Sequence, residues 1–270
     1  MRWNLLNGWQ QRNSFQGKIF SSGTKHHFHL NLIRFITLIN ECIILAGGLG
    51  TRLRNAVPNL PKCMAPVAGR PFVTWVVDYL VQQGISHFIF SLGYRHEDIT
   101  DYFSNHYNQL NISWSIEAEP LGTGGAIKLA CSKAKGDNVI IVNGDTFFRV
   151  NMATLAAFHE QHEAHCTLCL RPMQQFDRYG VVEINESTHA VQSFREKQFY
   201  KEGLINGGVY ALSIPAFMSE NLPEKFSFEK DYLEKFYTAR RMYGLVQDGY
   251  FIDIGIPEDY EKANHDFANQ

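Results

Sequence analysis

The sequence lacks an excess of charge of either sign. Among 270 residues, Lys and Arg number 25 and Asp and Glu 27, a formal net charge of −2. Such a chain has no global basic field to hold nucleic acid or an anionic membrane, so neither is expected as a partner, although a local anion site stays open. It also lacks a disulfide framework. Its five cysteines, Cys42, Cys63, Cys131, Cys166 and Cys169, are odd in number and irregular in spacing, which argues for a reducing, cytoplasmic setting. Long apolar runs are missing as well. The longest apolar-leaning stretch, Leu30 to Ala46, is broken by Asn31, Arg34, Asn40 and Glu41, and is too short and too polar to span a bilayer. No clean apolar segment leads to a small-residue cleavage site near the N-terminus, so no signal peptide is expected.

What remains is the composition of a soluble globular protein, 45% hydrophobic and 19% charged, long enough to bury a sizeable core. Cys166 and Cys169 form a C-x-x-C preceded by His159, His162 and His165, so a zinc site has to be weighed. The cysteines fall in an apolar, strand-like run, where residues three apart face opposite ways. Core packing is therefore the preferred reading of the pair.

Residues 1–40 are rich in Asn, Gln, Ser and His and show no sustained period. They are expected to form a loosely ordered extension outside the functional unit. From Glu41 the pattern becomes regular. Strands are predicted at Cys42–Ala46, His87–Leu92, Ile112–Glu117 and Asn138–Val142, alternating with helices at Phe72–Gln83, Arg95–Phe103, Thr123–Lys133 and Met152–His162. This alternation implies β-α-β crossovers and an α/β fold, a three-layer α/β/α sandwich around a mostly parallel, Rossmann-like sheet. The second half changes character. Short strands are predicted at Cys166–Leu170, Val181–Ile184, Ala190–Phe194, Gly208–Leu212, Leu245–Gln247 and Tyr250–Ile252, with helices at Phe228–Tyr237 and Pro257–Phe267. One unit over 41–270 is the simplest account.

The most informative stretch is Leu45-Ala-Gly-Gly-Leu-Gly-Thr-Arg-Leu-Arg54, followed by Pro61-Lys62. It lies at the carboxyl end of the first predicted strand, where open α/β sheets bind ligands. Leu45 and Ala46 lead into Gly47, Gly48 and Gly50, which let backbone N–H groups approach a phosphate. Thr51 follows; Arg52 adds a forked cation and Lys62 a point charge. The P-loop pattern fails, because no Lys-Ser/Thr follows the glycines. The dinucleotide fingerprint fails because Leu53 stands where its third glycine belongs.

Gly47-Gly-Leu-Gly-Thr-Arg-Leu with Pro61-Lys62 resembles the signature of the sugar-1-phosphate nucleotidyltransferases. That resemblance implies a loop that holds a nucleoside triphosphate, with Arg52 and Lys62 on its phosphates. Cys63 stands where the family usually has a proline. Two carboxylates extend the match. Asp145 ends Asn143-Gly-Asp145 after a predicted strand, and Asp253 ends Tyr250-Phe-Ile-Asp253. Magnesium takes one or two carboxylates plus phosphate oxygens and water, and the resemblance makes Asp145 and Asp253 its ligands. Metal-dependent glycosyltransferases use Asp-x-Asp, and Asn143 at the first position counts against them.

Glu119-Pro-Leu-Gly-Thr-Gly-Gly-Ala126 matches the family segment that holds the nucleobase, with Glu119, Gly122, Thr123 and Gly124 as candidate contacts. A carboxylate can accept both donors on the Watson–Crick edge of guanine, and Thr123 can cap the next helix. On the sugar side, Glu196 and Lys197 of Phe194-Arg-Glu-Lys197, and Asn206 and Gly207 of Leu204-Ile-Asn-Gly-Gly-Val-Tyr210, are the candidate contacts. Together these segments most resemble the D-glycero-α-D-manno-heptose 1-phosphate guanylyltransferases, with mannose-1-phosphate guanylyltransferases close behind. The expected substrates are GTP and a sugar 1-phosphate, and a homo-oligomer is compatible with the reading. The rival class is a non-catalytic sugar-nucleotide-binding subunit, which would not need Arg52, Lys62, Asp145 and Asp253 together.

Overall fold

The computed structural model describes residues 39–48 and 60–268. In chain order the elements are β1 (Glu41–Leu45), a 3₁₀ turn (Lys62–Met64), β2 (Pro66–Val67), β3 (Arg70–Pro71), α1 (Phe72–Gln82), β4 (His87–Leu92), α2 (His96–His106), β5 (Asn111–Ile116), α3 (Gly122–Cys131), β6 (Asn138–Asn143), β7 (Thr146–Phe148) and α4 (Met152–Gln161). There follow β8 (Cys166–Phe176), β9 (Val181–Ile184), β10 (Val191–Arg195), β11 (Tyr200–Ser213), α5 (Ile214–Met218), a π-helical turn (Phe228–Leu233) running into α6 (Glu234–Phe236), β12 (Met242–Val246), β13 (Phe251–Asp253) and α7 (Pro257–Ala268).

The central strands run β6-β1-β4-β5 and are all parallel. Their residues alternate between two cores. Cys42 and Ile44 pack with α1, α2, α4 and α7, whereas Ile43 packs with α3, α5 and the 228–236 helix. A strand covered on both faces has no polar side to show, so β1 reads as a continuous apolar run. Each fully buried isoleucine there contributes about 1.5–3 kcal/mol. The three layers are those expected.

β11 joins the parallel centre antiparallel to β6, and β8 and β9 pair with β11 in turn. Here the expected strand ends fall short. β8 runs six residues past Leu170, to Phe176, and β11 begins at Tyr200 rather than Gly208. The added stretches are rich in polar residues, and they are held by pairing with each other, from Tyr200 opposite Phe176 to Asn206 opposite Leu170. They cover a small third core of Phe176, Val181 and Ile205. Cys166 packs in one core and Cys169 in the other, so this pair cannot share a metal. Both are buried free thiols.

Register brings the carboxyl ends of the central strands level. Leu45 lies opposite both Ser91 and Asn143. Past that line the chain is held by Ala46 N–H to Ser91 O (2.9 Å), Gly144 N–H to Leu45 O (2.9 Å) and Glu117 N–H to Leu92 O (2.9 Å). The opposite edge is closed by a buried clasp. Glu41 meets His87 Nδ1 through Oε1 (2.5 Å) and accepts the N–H groups of Gly136 (2.6 Å) and Lys135 (2.8 Å), while His87 Nε2 meets Ser113 Oγ (2.8 Å).

Burial alone would raise the Glu41 pKa, but the His87 bond and the two backbone N–H groups outweigh it and lower the pKa below the ordinary 4.5. The clasp's stabilisation is therefore complete above that value and is lost as pH falls through the lowered one. Glu41→Ala leaves these donors unpaired and should cost about 3 kcal/mol or more in urea denaturation at neutral pH. Its stability should also fall less steeply than wild type between about pH 5 and pH 3.

Candidate active site

Two cavities open along the carboxyl edge of the sheet. The first, about 460 Å³, is lined by Leu45, Ala46, Gly47 and Gly48, by Lys62 and Asp145, and by Glu117, Gly122 and Thr123. Gly50, Thr51 and Arg52 lie outside the described residues.

The charged centre of this cavity is built from three remote segments. Asp145 follows the end of β6, and Asp253 is the last residue of β13. β13 pairs with β7 so that Asp253 faces Thr146, and Ile254 N–H donates to Asp145 O at 3.1 Å. Lys62 enters from the 3₁₀ turn after Pro61 and donates to Asp145 Oδ2 at 2.5 Å and to Asp253 Oδ1 at 3.1 Å. Burial by itself would lower the lysine pKa; the two carboxylates outweigh it and raise it, so the ammonium stays charged. Gly255 N–H fixes Asp253 Oδ1 at 2.8 Å. Cys63, in the usual proline position, sits beneath as a buried thiol pushed up to about 12, chiefly by burial and then by Asp145.

At the other end of the cavity the structure amends the sequence reading. Glu119 is exposed and is not among the lining residues; Glu117 is. One Glu117 oxygen accepts Leu121 N–H at 2.8 Å. Burial raises its pKa, with that N–H acting in the opposite sense. Thr123 is not the cap of α3, whose N-cap is Leu121. Its hydroxyl instead donates to Glu229 Oε2 (3.0 Å) and accepts Phe228 N–H (2.8 Å).

The glycines answer to the same neighbour. Gly122 has φ +72°, and a Cβ there would lie 2.6 Å from Phe226 O. A Cβ on Gly124 would lie 2.1 Å from the Phe226 ring. Gly124 does not line the cavity; it packs against the protein's own 224–228 segment, which a glycine pattern alone cannot distinguish from a ligand.

The second cavity, about 630 Å³, is lined by Glu196, Lys197, Asn206 and Gly207, with Tyr179 and Asp253. The structure thus brings all four sugar-side candidates together. Asn206 is held in place, donating to Tyr210 OH (2.8 Å) and accepting Gly208 N–H (3.2 Å). Asn143 and Glu229 line both cavities. Glu117, Tyr179 and Glu229 also line these cavities and are not among the candidates read from sequence. Glu117 alone had a usable signal, as the first residue past the end of β5, where ligands are met.

The nucleotidyl transferase family model matches residues 41–270. The chain belongs to that family. It is 50% identical over 229 residues to a D-glycero-α-D-manno-heptose 1-phosphate guanylyltransferase of Aneurinibacillus thermoaerophilus, covering 85% of this chain and 99% of the relative. It is 44% identical to the protein of that name from Campylobacter jejuni, covering 82% and 96%. Among solved structures it is similar to HddC from Yersinia pseudotuberculosis complexed with GMP-PN, with TM-score 0.76 and 37% identity over 85% of this chain and 100% of the other. The chain is thus a nucleotidyltransferase-family enzyme with that family's α/β fold. Among its described residues, no helix is long and apolar enough to cross a membrane.

If the glycines of α3 serve the internal contact, Gly124→Ala should be costly. The added methyl meets an aromatic ring in a packed core, so we expect a loss of about 1–3 kcal/mol, read as a lowered Tm, with activity reduced at temperatures where the protein is still folded.

Proposed function

We propose that the protein transfers GMP from GTP to D-glycero-α-D-manno-heptose 1-phosphate, giving GDP-heptose and pyrophosphate in the cytoplasm. The observation that carries this is the meeting of two cavities at one charged centre, in a chain half identical to a guanylyltransferase of that name. A phosphate oxygen of the sugar 1-phosphate forms the new bond to the α-phosphorus of GTP. The bond from that phosphorus to the α,β-bridging oxygen breaks, and its electrons leave with pyrophosphate. The nucleophile is already an anion, so no protein base is needed and catalysis is mostly positioning and charge stabilisation.

In this reading the Leu45–Gly48 turn, with Gly50, Thr51 and Arg52 beyond it, cradles the triphosphate. Glu117 takes the base-reading role that the sequence had suggested for Glu119, because it is the carboxylate that lines this cavity and a carboxylate can accept the paired donors of guanine. Glu196, Lys197, Asn206 and Gly207 hold the sugar and its phosphate. The donor set at the centre suits a hard divalent cation, since Asp145 and Asp253 already converge on one ammonium and two carboxylates are what magnesium commonly takes. Asp145 and Asp253 would hold magnesium there, and the ion supplies positive charge to the α-phosphate and the leaving pyrophosphate. Lys62, freed from the carboxylates, is then available to a phosphate oxygen.

The test is pyrophosphate release with magnesium, across GTP, UTP, dTTP, CTP and ATP, each with heptose 1-phosphate or mannose 1-phosphate. Release should require GTP and be fastest with the heptose. Another productive pair would correct the substrate, and none at all would sink the reading. Asp145→Ala should lower kcat by about 100-fold or more. Glu117→Gln should raise the KM for GTP by about 10- to 100-fold, the range for a charge-assisted hydrogen bond, with little change in the KM for the sugar phosphate.

A further inference from the structure

Glu229 stands at the junction of the two cavities, and nothing in the sequence motifs singles it out. It lies in the π-helical turn Phe228–Leu233, a geometry that is rare and frequent at functional sites. That turn is fastened to the nucleotide side of the protein by a ladder of bonds. Phe226 N–H donates to Leu121 O and Gly124 N–H to Phe226 O, both at 3.0 Å. Thr123 Oγ1 then accepts Phe228 N–H. Close apposition of the two segments needs glycine at 122 and 124, where a Cβ would strike Phe226.

The ladder ends on the Glu229 carboxylate. Oε2 accepts the Thr123 hydroxyl at 3.0 Å and the Ser227 hydroxyl at 3.3 Å. Both hydroxyls are themselves committed, Thr123 Oγ1 accepting Phe228 N–H and Ser227 Oγ accepting Lys230 N–H at 3.2 Å. One carboxylate oxygen is thus fixed from two sides. The other, Oε1, has no hydrogen-bond or ion-pair partner among the described residues, and the side chain is only half-buried. A carboxylate can accept at both oxygens, and Glu229 lines both cavities. The neighbouring Ser227, Lys230 and Glu234 line the second cavity but not the first, so this segment borders mainly the second cavity.

We propose that Glu229 is a specificity-determining residue for the acceptor: Oε1 accepts a hydroxyl of the sugar ring, while Thr123 and Ser227 lock Oε2 and set the carboxylate's direction. The inference rests on the second cavity being the sugar 1-phosphate site. It adds to that reading a residue outside the Glu196–Lys197 and Asn206–Gly207 segments, and a physical link from the nucleotide cavity to sugar recognition.

Glu229→Gln tests it. The amide keeps the shape and one oxygen for the Thr123 and Ser227 hydroxyls, but turns an N–H₂ toward the sugar where an acceptor is needed. Steady-state pyrophosphate release is measured for wild type and variant, varying each substrate in turn, with Tm recorded for both. The KM for the sugar 1-phosphate should rise by about 10- to 100-fold, with the KM for GTP within about 2-fold and Tm unchanged. An active wild type whose acceptor KM is the same in Glu229→Gln would overturn this inference alone, whether or not Tm or the KM for GTP had moved. A wild type that turns over no nucleotide and sugar pair would sink the functional reading and this inference with it.

Discussion

One ammonium group joins three parts of the chain that are far apart in sequence. Lys62, Asp145 and Asp253 meet within hydrogen-bonding distance across separations of 83 and 191 residues. Burying such a group carries a desolvation cost that its partners only partly return, so it is weak evidence for stability. Its effect is placement. The lysine comes from the 3₁₀ turn after Pro61, one carboxylate from the end of the central sheet, and the other from a two-stranded ladder added late in the chain. The sheet, the β7–β13 pairing and α7 behind it set where these three charges stand. Among the described residues, two carboxylates stand against one ammonium where the cavities meet.

The parallel centre was legible because burial on both faces removes ambiguity. His87–Leu92 and Val181–Ile184 are strands with the predicted bounds. The long strands β8 and β11 were not legible beyond their apolar halves. Their polar extensions are held by pairing with each other, and a period-based reading sees residues one strand at a time. The three-residue β7 escaped for a related reason: it exists through its pairing with β13.

At the site, the carboxylates expected at strand ends line the cavities, and the one chosen by motif does not. Asp145 follows the carboxyl end of β6 and lines the first cavity, the place where ligands meet an open sheet. The same rule applied to β5 selects Glu117; the motif selected Glu119, which faces solvent. Thr123 and the glycines around it show a second kind of limit. Their spacing announces a close approach, but whether a nucleobase or the protein's own Phe226 makes that approach depends on where a segment about a hundred residues later is laid. That segment ties α3 to the turn that bears Glu229.

We propose that Asp145 and Asp253 jointly hold the cation on which transfer depends. The most direct measurement is manganese binding by electron paramagnetic resonance, with a non-hydrolysable GTP analogue present, for wild type, Asp145→Asn and Asp253→Asn. The account predicts one tight manganese site in the wild-type complex, weakened by about 10-fold or more in each variant, with the analogue still bound. Equal manganese affinity in all three proteins would contradict it, and would leave the two aspartates as a structural seat for Lys62.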